Sequence, residues 1–291
     1  MILIFGCGIL GQYLLKEVLQ NTDEQVLCTY HTQKPQLSCT AGDRVCFQKC
    51  DVTSEADLQA LSALCAGDRL RVFYCTAYHN IDAVYAHPQQ AQKVNVEGLA
   101  RFLEIVKNIE ALYFISTDCV YGESRPDSKP FRETAACAPI NAYGRQKLAA
   151  EQLVLNRGYH VLRCSLLYGA SLDDNRKTFY DKTFAALKAG ERVEMIDGLA
   201  RCALTYSEAA HIIMRLVTEK KELPPVLNIC GDSLITKYEL GLRIAAAAGA
   251  SPAQVVKISK EEGNKFFQDK RADVIALDSA LLHSVECNLN A

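Results

Sequence analysis

The sequence predicts an α/β fold in which a parallel sheet is covered by helices on both faces. Two observations carry this prediction. Short apolar runs alternate with longer segments of helical spacing through the first half of the chain, and the first run ends in a glycine-rich turn. Alternation of this kind is typical of βαβ units, whose parallel strands are buried on both sides.

The elements of the first half follow from local patterns. Met1–Phe5 is a short, fully apolar strand, and Leu10, Leu14 and Val18 recur at helical spacing after it. The short polar side chains of Asp51–Ser54 predict the cap of a helix. Together these patterns predict strands at 1–5, 25–30, 45–48, 70–75, 111–116 and 159–164, and helices at 9–19, 55–64, 91–108 and 139–156.

The second half is less regular. Its apolar spacing predicts helices at 178–189, 207–218 and 237–248 and short strands at 192–196 and 226–229. We therefore expect a dinucleotide-binding domain over 1–165 and a smaller α+β domain over 166–291 that binds substrate. The boundary is approximate, and segments of the two parts can interleave.

Composition excludes several classes of protein. The formal net charge of −2 shows no basic excess, so a nucleic-acid partner is not expected. No basic leader precedes the first strand, and no run reaches the roughly 18 apolar residues of a spanning helix. The 13 cysteines include no Cys-x-x-Cys pair, which indicates free buried thiols rather than a metal site. A cytoplasmic protein without membrane contact or metal is expected.

Gly6, Gly8 and Gly11 follow the first strand and open the first helix. In this position Gly6 permits a tight turn, Gly8 lets backbone approach a pyrophosphate, and Gly11 lets helix and strand pack closely. Ile9 and Leu10 begin the helix, whose free N–H groups and partial positive charge suit an anion. The sequence thus predicts a dinucleotide on a Rossmann-type doubly wound parallel sheet.

The end of the second predicted strand bears on which dinucleotide binds. An NAD-selective site usually has an acid there, which accepts a hydrogen bond from the ribose 2′-OH. The stretch Tyr30–Lys34 contains no acid, whereas its His31 and Lys34 could bind a 2′-phosphate. We therefore expect NADP as the preferred cofactor, with NAD as the alternative.

Three side chains suggest carbonyl–alcohol redox chemistry. Tyr143 and Lys147 lie four residues apart on one predicted helix and so share a face, while Thr117 follows the fifth strand. The phenol can donate a proton to a developing alkoxide, and the hydroxyl can share that hydrogen bond. We expect the lysine to lower the phenol pKa from about 10 and to hold the cofactor ribose.

The order and spacing of these segments resemble those of the extended short-chain dehydrogenases/reductases. The glycine loop, Asp51–Val52, Ser116–Gly122 and Tyr143–Lys147 all match, and Leu162–Gly169 is similar to the family's strand leading into the substrate part. Asp273–Ser279 resembles a segment of dTDP-4-dehydrorhamnose reductases and their epimerase and dehydratase relatives.

The resemblance implies roles for individual residues. Tyr143 would be the proton donor, Lys147 its electrostatic and ribose-binding partner, and Thr117 the assisting hydroxyl. Asn95 would be a structural or relay residue. The cofactor would lie along the ends of the third and fourth strands, against Asp51, Val52, Cys75, Thr76, Ala77 and Tyr78.

Substrate recognition is expected from Thr117, Asp118 and Arg201. The segment Asp197–Thr205 lacks the glutamine and proline that the reductases carry in a motif there. Arg201 within it remains a candidate contact for a diphosphate or for the substrate. A sugar or nucleotide-sugar is the expected ligand.

Three functions stay open at this level. The leading one is an NADPH-dependent reductase of a keto-sugar linked to a nucleotide. A nucleotide-sugar epimerase with tightly held NAD is the second, whereas Cys119 stands where the dehydratases have a glutamate base. The third is a non-catalytic NADP-binding protein, because the regulatory β subunit of methionine adenosyltransferase resembles the same family. Pairing through the helix of Tyr143 would make a homodimer.

Overall fold

The structure is a computed structural model that describes residues 1–36, 42–125, 127–218 and 223–287. Its strands are β1 (Ile2–Phe5), β2 (Val26–Tyr30), β3 (Val45–Lys49), β4 (Leu70–Tyr74), β5 (Ile109–Thr117), β6 (His160–Cys164), β7 (Leu167–Tyr168), β8 (Val193–Ile196), β9 (Ala200–Arg201), β10 (Leu204–Thr205), β11 (Val226–Ile229), β12 (Ile235–Thr236), β13 (Val255–Ile258) and β14 (Val274–Ile275). Its helices are α1 (Ile9–Asn21), α2 (Glu55–Leu64), α3 (Ile81–Ala86), α4 (Pro88–Gln92), α5 (Gly98–Ile105), α6 (Ala142–Leu155), α7 (Phe179–Lys188), α8 (Tyr206–Thr218), α9 (Lys237–Ala248), α10 (Lys260–Asn264) and α11 (Ala280–Cys287).

Seven parallel strands form the central sheet in the order β11-β6-β5-β4-β1-β2-β3. The strand order reverses between β1 and β4, and ligands bind in the crevice at such a switch point. The predicted Rossmann-type α/β fold is therefore confirmed.

The alternation of side chains along β1 explains how one strand supports two cores. Ile2 and Ile4 pack into a cluster with residues of α1 and α8, whereas Leu3 and Phe5 face a second cluster with residues of α2 and α5. All four are almost completely buried. A strand covered on both faces must be continuously apolar, which is why this segment could be recognised from the sequence.

The strands of the C-terminal part other than β11 form small sheets. β13 pairs with β8, β9 pairs with both β12 and β14, and β10 pairs with β7. α7 and α9 pack on this part around Leu187, Leu240 and Ile244. β11 joins the central sheet although it comes from the second half of the chain. The division at residue 165 stays a prediction.

Two predicted helices differ from the structure. The helix expected over 91–108 is interrupted by a π-helical turn at Lys93–Glu97 and ends at Ile105. The helix expected from Pro139 begins at Ala142, because Asn141 is extended and its side-chain oxygen accepts a hydrogen bond from the Gly144 N–H. A local N-cap thus sets the start of the helix.

Two negative findings concern the described part of the chain. No helix there has both the length and the apolar character needed to cross a bilayer. Nor does any group of three or more His, Cys, Asp or Glu side chains form an arrangement that could hold a metal ion. The eleven cysteines whose side chains the structure describes are free, and most of them are buried.

Candidate active site

The glycine loop between β1 and α1 has no room for side chains at two of its glycines. Gly6 has φ +97°, and a Cβ there would lie 2.4 Å from Thr76 Oγ1. A Cβ at Gly11 would lie 2.7 Å from the carbonyl oxygen of Gly6. The first contact brings the loop against the end of β4, and the second packs α1 against the turn, so both positions require glycine.

Gly8, by contrast, has room for a side chain. The nearest atom to a Cβ at this position would be Nη1 of Arg176, at 3.8 Å. Gly8 is also the N-cap of α1, and no side chain caps the helix. The first N–H groups of α1 therefore remain available at the loop, as an anion-binding helix terminus requires.

A cleft of about 320 Å³ opens above this loop. Nine of the predicted cofactor residues line it, namely Gly6, Gly8, His31, Asp51, Val52, Cys75, Thr76, Ala77 and Tyr78. The cleft is also lined by residues that sequence reasoning did not select, among them Cys7, Thr29, Gln33, Gln90 and Arg176. Its size, its glycine cradle and the free helix terminus fit the pyrophosphate and adenosine parts of a dinucleotide.

The other predicted cofactor residues lie outside the lining of this cleft. Leu10 is buried in the core on one face of the sheet, and Ile9 opens α1 beside it. Gly11 packs against Gly6, and the ammonium of Lys34 lies 5.3 Å from the ring centre of Phe47.

A carboxylate lies beside the end of β2, although the stretch Tyr30–Lys34 itself contains no acid. His31 Nε2 lies 3.5 Å from Asp51 Oδ2, so an acid from the end of β3 stands beside the position expected to bind a 2′-phosphate. Burial alone would raise the pKa of Asp51, but hydrogen bonds from Thr53 and the neighbouring His31 outweigh it and lower this pKa. Asp51 is therefore ionised at neutral pH.

Asn95 positions the wall of the cleft. Its Oδ1 accepts a hydrogen bond from the Tyr78 N–H at 2.7 Å, and its Nδ2 donates to the Tyr78 carbonyl and to Gln146 Oε1. The π-helical turn carries this buried side chain. Asn95 thus connects the segment after β4 to α6, which also carries Tyr143.

Gly144 brings α6 close to the loop that follows β5. A Cβ at this residue would lie 2.5 Å from the carbonyl oxygen of Cys119. This close approach places Tyr143 near Cys119 and Asp118, and burial followed by these two groups raises the phenol pKa well above its ordinary value. Tyr143 is therefore protonated at neutral pH, as a proton donor must be.

The side chain of Lys147 is hydrogen-bonded to β5, and its contact with the cofactor ribose stays a prediction. Its Nζ donates a 2.6 Å hydrogen bond to the carbonyl of Ile115 and lies 3.8 Å from the ring centre of Phe114. Burial lowers the pKa of Lys147 to about 7, although the Glu151 carboxylate acts in the opposite direction. The predicted lowering of the Tyr143 pKa is thus wrong for this structure, because the ammonium is directed to β5 and burial determines the phenol pKa.

Thr117 and Asp118 form a short turn after β5. Thr117 Oγ1 accepts a hydrogen bond from the Cys119 N–H and donates one to Asp118 Oδ1. Asp118 Oδ2 accepts a hydrogen bond from Ser165 and lies 3.6 Å from Arg201 Nε. The hydroxyl predicted to assist catalysis is therefore also a structural cap, and it is nearly buried.

Arg201 holds the C-terminal segment as well as Asp118. Its terminal nitrogens donate to the backbone carbonyls of Ala200, Ala272 and Asp273 over 2.7–3.0 Å. It also lines a small cavity of about 40 Å³ that is bounded by Cys119 and Asn141 on one side and by residues 271–275 on the other.

A cation cluster flanks this cavity, formed by Arg201, Lys237 and Arg271. Arg271 pairs with Asp82 at 2.8 Å and stacks on Phe267, and Lys237 lies 5.2 Å from the same ring. Burial and then the Arg271 and Arg201 guanidinium groups lower the pKa of Lys237 to about 8. Repulsion among cations of this kind is relieved by a bound anion, which makes the cluster a candidate phosphate site.

Sequence reasoning missed several of these residues. Gly144 could have been noticed as a helix-breaking residue inside a predicted helix, and Arg271 lies two residues before Asp273, where the segment Asp273–Ser279 begins. No local sequence pattern indicated that Arg176 and Lys237 belong to the site. They reach the site only because the chain folds back over it.

Comparisons with known proteins agree with this architecture. The family described as RmlD substrate binding domain matches residues 1–280. Methionine adenosyltransferase 2 subunit beta of Bos taurus is 29% identical over 258 residues, or 84% of this chain and 71% of that protein. The dTDP-4-dehydrorhamnose reductase of Mycolicibacterium smegmatis is 27% identical over 212 residues, or 71% and 62%.

A solved structure extends the comparison to the fold. The dTDP-4-dehydrorhamnose reductase of Bacillus anthracis, determined in complex with NADP, superposes with a TM-score of 0.78 at 20% identity and covers 99% of this chain and 96% of its own. The predicted resemblance to extended short-chain dehydrogenases/reductases is confirmed.

Proposed function

Because the chain belongs to the RmlD substrate binding domain family, we propose that it is an NAD(P)H-dependent reductase of a keto-sugar linked to a nucleotide. One observation carries the proposal. Protonated Tyr143 lies on α6, and this helix holds the wall of the dinucleotide cleft through the hydrogen bond between Gln146 and Asn95. Tyr143 also lies near Cys119, which lines the cavity beside the cation cluster.

The cofactor part rests on the cleft. The glycine loop and the N-terminus of α1 would hold the pyrophosphate, and the segment 75–78 would line the remainder of the dinucleotide. When bound, NAD(P)H supplies a hydride to the carbonyl carbon. We propose NADP(H) as the preferred form, with His31 as the residue nearest the 2′-phosphate.

The protein supplies the proton and the position of the sugar. Tyr143 donates its phenolic proton to the oxygen that becomes the alcohol, and its high pKa keeps that proton in place until the oxygen gains charge. The cation cluster of Arg201, Lys237 and Arg271 would bind the diphosphate that links sugar and nucleotide. Near its pKa of about 7, Lys147 is present both as an amine, which can accept a proton, and as an ammonium, which can donate one.

The decisive experiment measures NADPH oxidation at the nicotinamide absorbance with a panel of nucleotide-linked 4-keto sugars. Tyr143→Phe should lower turnover by about 10²- to 10⁴-fold, which is the usual contribution of a general acid, while NADPH affinity changes little. Tyr159→Phe is the matched control, because that phenol bonds the Ile109 carbonyl away from the cleft. Equal turnover in the Tyr143 variant would remove the catalytic assignment.

A regulatory role is the second candidate, favoured by two observations. The similarity to methionine adenosyltransferase 2 subunit beta is one. The other is that Lys147 bonds β5 rather than lowering the Tyr143 pKa. In this case the chain would bind a methionine adenosyltransferase catalytic subunit and show no turnover. Size-exclusion chromatography with light scattering of the chain mixed with that catalytic subunit tests this. A run of the chain alone tests the predicted homodimer.

The epimerase alternative predicts a different state of the purified protein. An epimerase retains its dinucleotide through the reaction, so the protein would be isolated with NAD bound. Mass spectrometry of the nucleotide released by acid identifies it. Release of stoichiometric NAD would favour the epimerase, whereas a nucleotide-free protein that binds NADPH reversibly would favour the reductase.

A further inference from the structure

Arg176 brings a charged group from the second half of the chain to the glycine loop. It lies in the connection between β7 and α7, and its side chain lines the same cleft as Gly6 and Gly8. Nη1 of Arg176 lies 3.8 Å from where a Cβ on Gly8 would be. The guanidinium thus stands directly beside the free N-terminus of α1.

The connection that carries Arg176 is held on both sides. Asp181 at the start of α7 accepts hydrogen bonds from the Ser171 and Thr178 N–H groups, and Tyr13 on α1 donates to the Ala170 carbonyl. These contacts fix the connection to α7 at one end and to α1 at the other. A side chain on a fixed backbone loses less conformational entropy when it binds a ligand.

A hydrogen-bonded turn fixes the residue itself. The Arg176 N–H donates to the carbonyl of Asp173 at 3.0 Å, and the buried Asp173 carboxylate accepts from the Asn175 N–H. Ser171 bonds both the N–H and the carbonyl of Asp173. The turn therefore directs Arg176 back toward the loop rather than outward.

The charge of Arg176 is not neutralised by the protein where the structure describes it. Within those segments no carboxylate lies within 4.0 Å of its guanidinium, whereas the neighbouring Lys177 pairs with Asp174. A half-buried guanidinium beside a helix N-terminus forms a site for an anion, and its planar donors match the geometry of phosphate oxygens.

We propose that Arg176 binds the pyrophosphate of the dinucleotide, so that the cofactor is held by the glycine loop on one side and by the substrate part of the chain on the other. The inference rests on the proposed dinucleotide binding and adds to it a specific residue outside the first half of the chain. A bound cofactor would then contact the β7–α7 connection through Arg176.

The test compares three ligands by calorimetric titration or competition against NADPH. ADP-ribose contains the pyrophosphate but no 2′-phosphate. Adenosine 2′-monophosphate contains the 2′-phosphate but no pyrophosphate, and NADPH contains both groups. Arg176→Gln should weaken binding of NADPH and ADP-ribose by about 10- to 100-fold, the loss of one charge-assisted hydrogen bond or two. Binding of adenosine 2′-monophosphate should change less than about threefold.

Two further variants complete the design. Lys177→Gln, which removes an exposed charge one residue away, should leave all three affinities unchanged, and Arg176→Lys should recover part of the loss because it keeps the charge. Circular dichroism melts verify that each variant is folded.

Each other outcome overturns the inference in a distinguishable way. Unchanged affinities in Arg176→Gln would show that the guanidinium does not contact the cofactor. Loss for NADPH and adenosine 2′-monophosphate, but not for ADP-ribose, would place it at the 2′-phosphate. A wild-type protein that binds none of the three ligands would remove the proposed function, and the role of Arg176 with it.

Discussion

The low pKa of Lys147 makes a prediction about how stability depends on pH. Lys147 is almost completely buried, and its pKa falls from 10.5 to about 7 in the folded protein. Between these values the unfolded chain binds the proton more tightly than the folded chain does. The stability that this group contributes therefore rises with pH through the window from 7 to 10.5.

The magnitude follows from the size of the shift. Each pH unit within the window changes the free energy of unfolding by at most about 1.36 kcal/mol, and the slope is about half of that near pH 7. From pH 7 to 9 the contribution of Lys147 should rise by about 2 kcal/mol. Lys147→Met removes the titrating group, so the stability of this variant relative to wild type should fall by that amount over the same interval.

Urea unfolding followed by circular dichroism measures this difference, because the chain has no tryptophan for fluorescence. The comparison is made with reductant and without added dinucleotide. The Lys147 charge acts on Cys75 and Cys164, but burial raises the pKa of both thiols far above pH 9, so both stay protonated in the folded wild type and in the folded variant. Lys188→Met, on the exposed end of α7, serves as control and should give a difference that is constant with pH. A constant difference for Lys147→Met as well would refute the argument that burial lowers its pKa.

Three further predictions concern the site and its support. Glu151→Gln should lower the free energy of unfolding by about 3–5 kcal/mol in urea titrations, because it leaves the buried Arg163 guanidinium unpaired. The control Glu110→Gln, at an exposed ion pair, should lower it by less than about 1 kcal/mol. Equal losses in the two variants would contradict the argument from burial. Gly144→Ala should lower stability by about 1–3 kcal/mol despite the better helix propensity of alanine, since its Cβ would meet a backbone carbonyl at 2.5 Å; a more stable variant in thermal melts would show that α6 can shift freely. Asp51→Asn should tighten NADP binding several-fold relative to NAD in calorimetry, because about 0.5–1 kcal/mol of repulsion between exposed charges is removed; an unchanged ratio would place the 2′-phosphate elsewhere.

The fold could be read largely from local patterns. β1 and α2 were predicted within one residue of their observed bounds because continuous apolar runs and capped amphipathic segments report burial directly. The interruption of the helix at Lys93–Glu97 could not be predicted. A π-helical turn there carries Asn95, and its hydrogen bonds to Tyr78 and Gln146 exist only once three distant segments have met.

The sequence by itself determined the residue types available for chemistry and the sheet that carries them, since glycine turns, helix spacing and strand ends depend on neighbours along the chain. Only the tertiary structure decided which groups the charged ends of the side chains contact. Lys147 reaches the Ile115 carbonyl, Asp51 stands beside His31, and Arg176 returns to Gly8. Such side chains are flexible, and their partners are backbone atoms and charges brought near by packing, which no local pattern encodes.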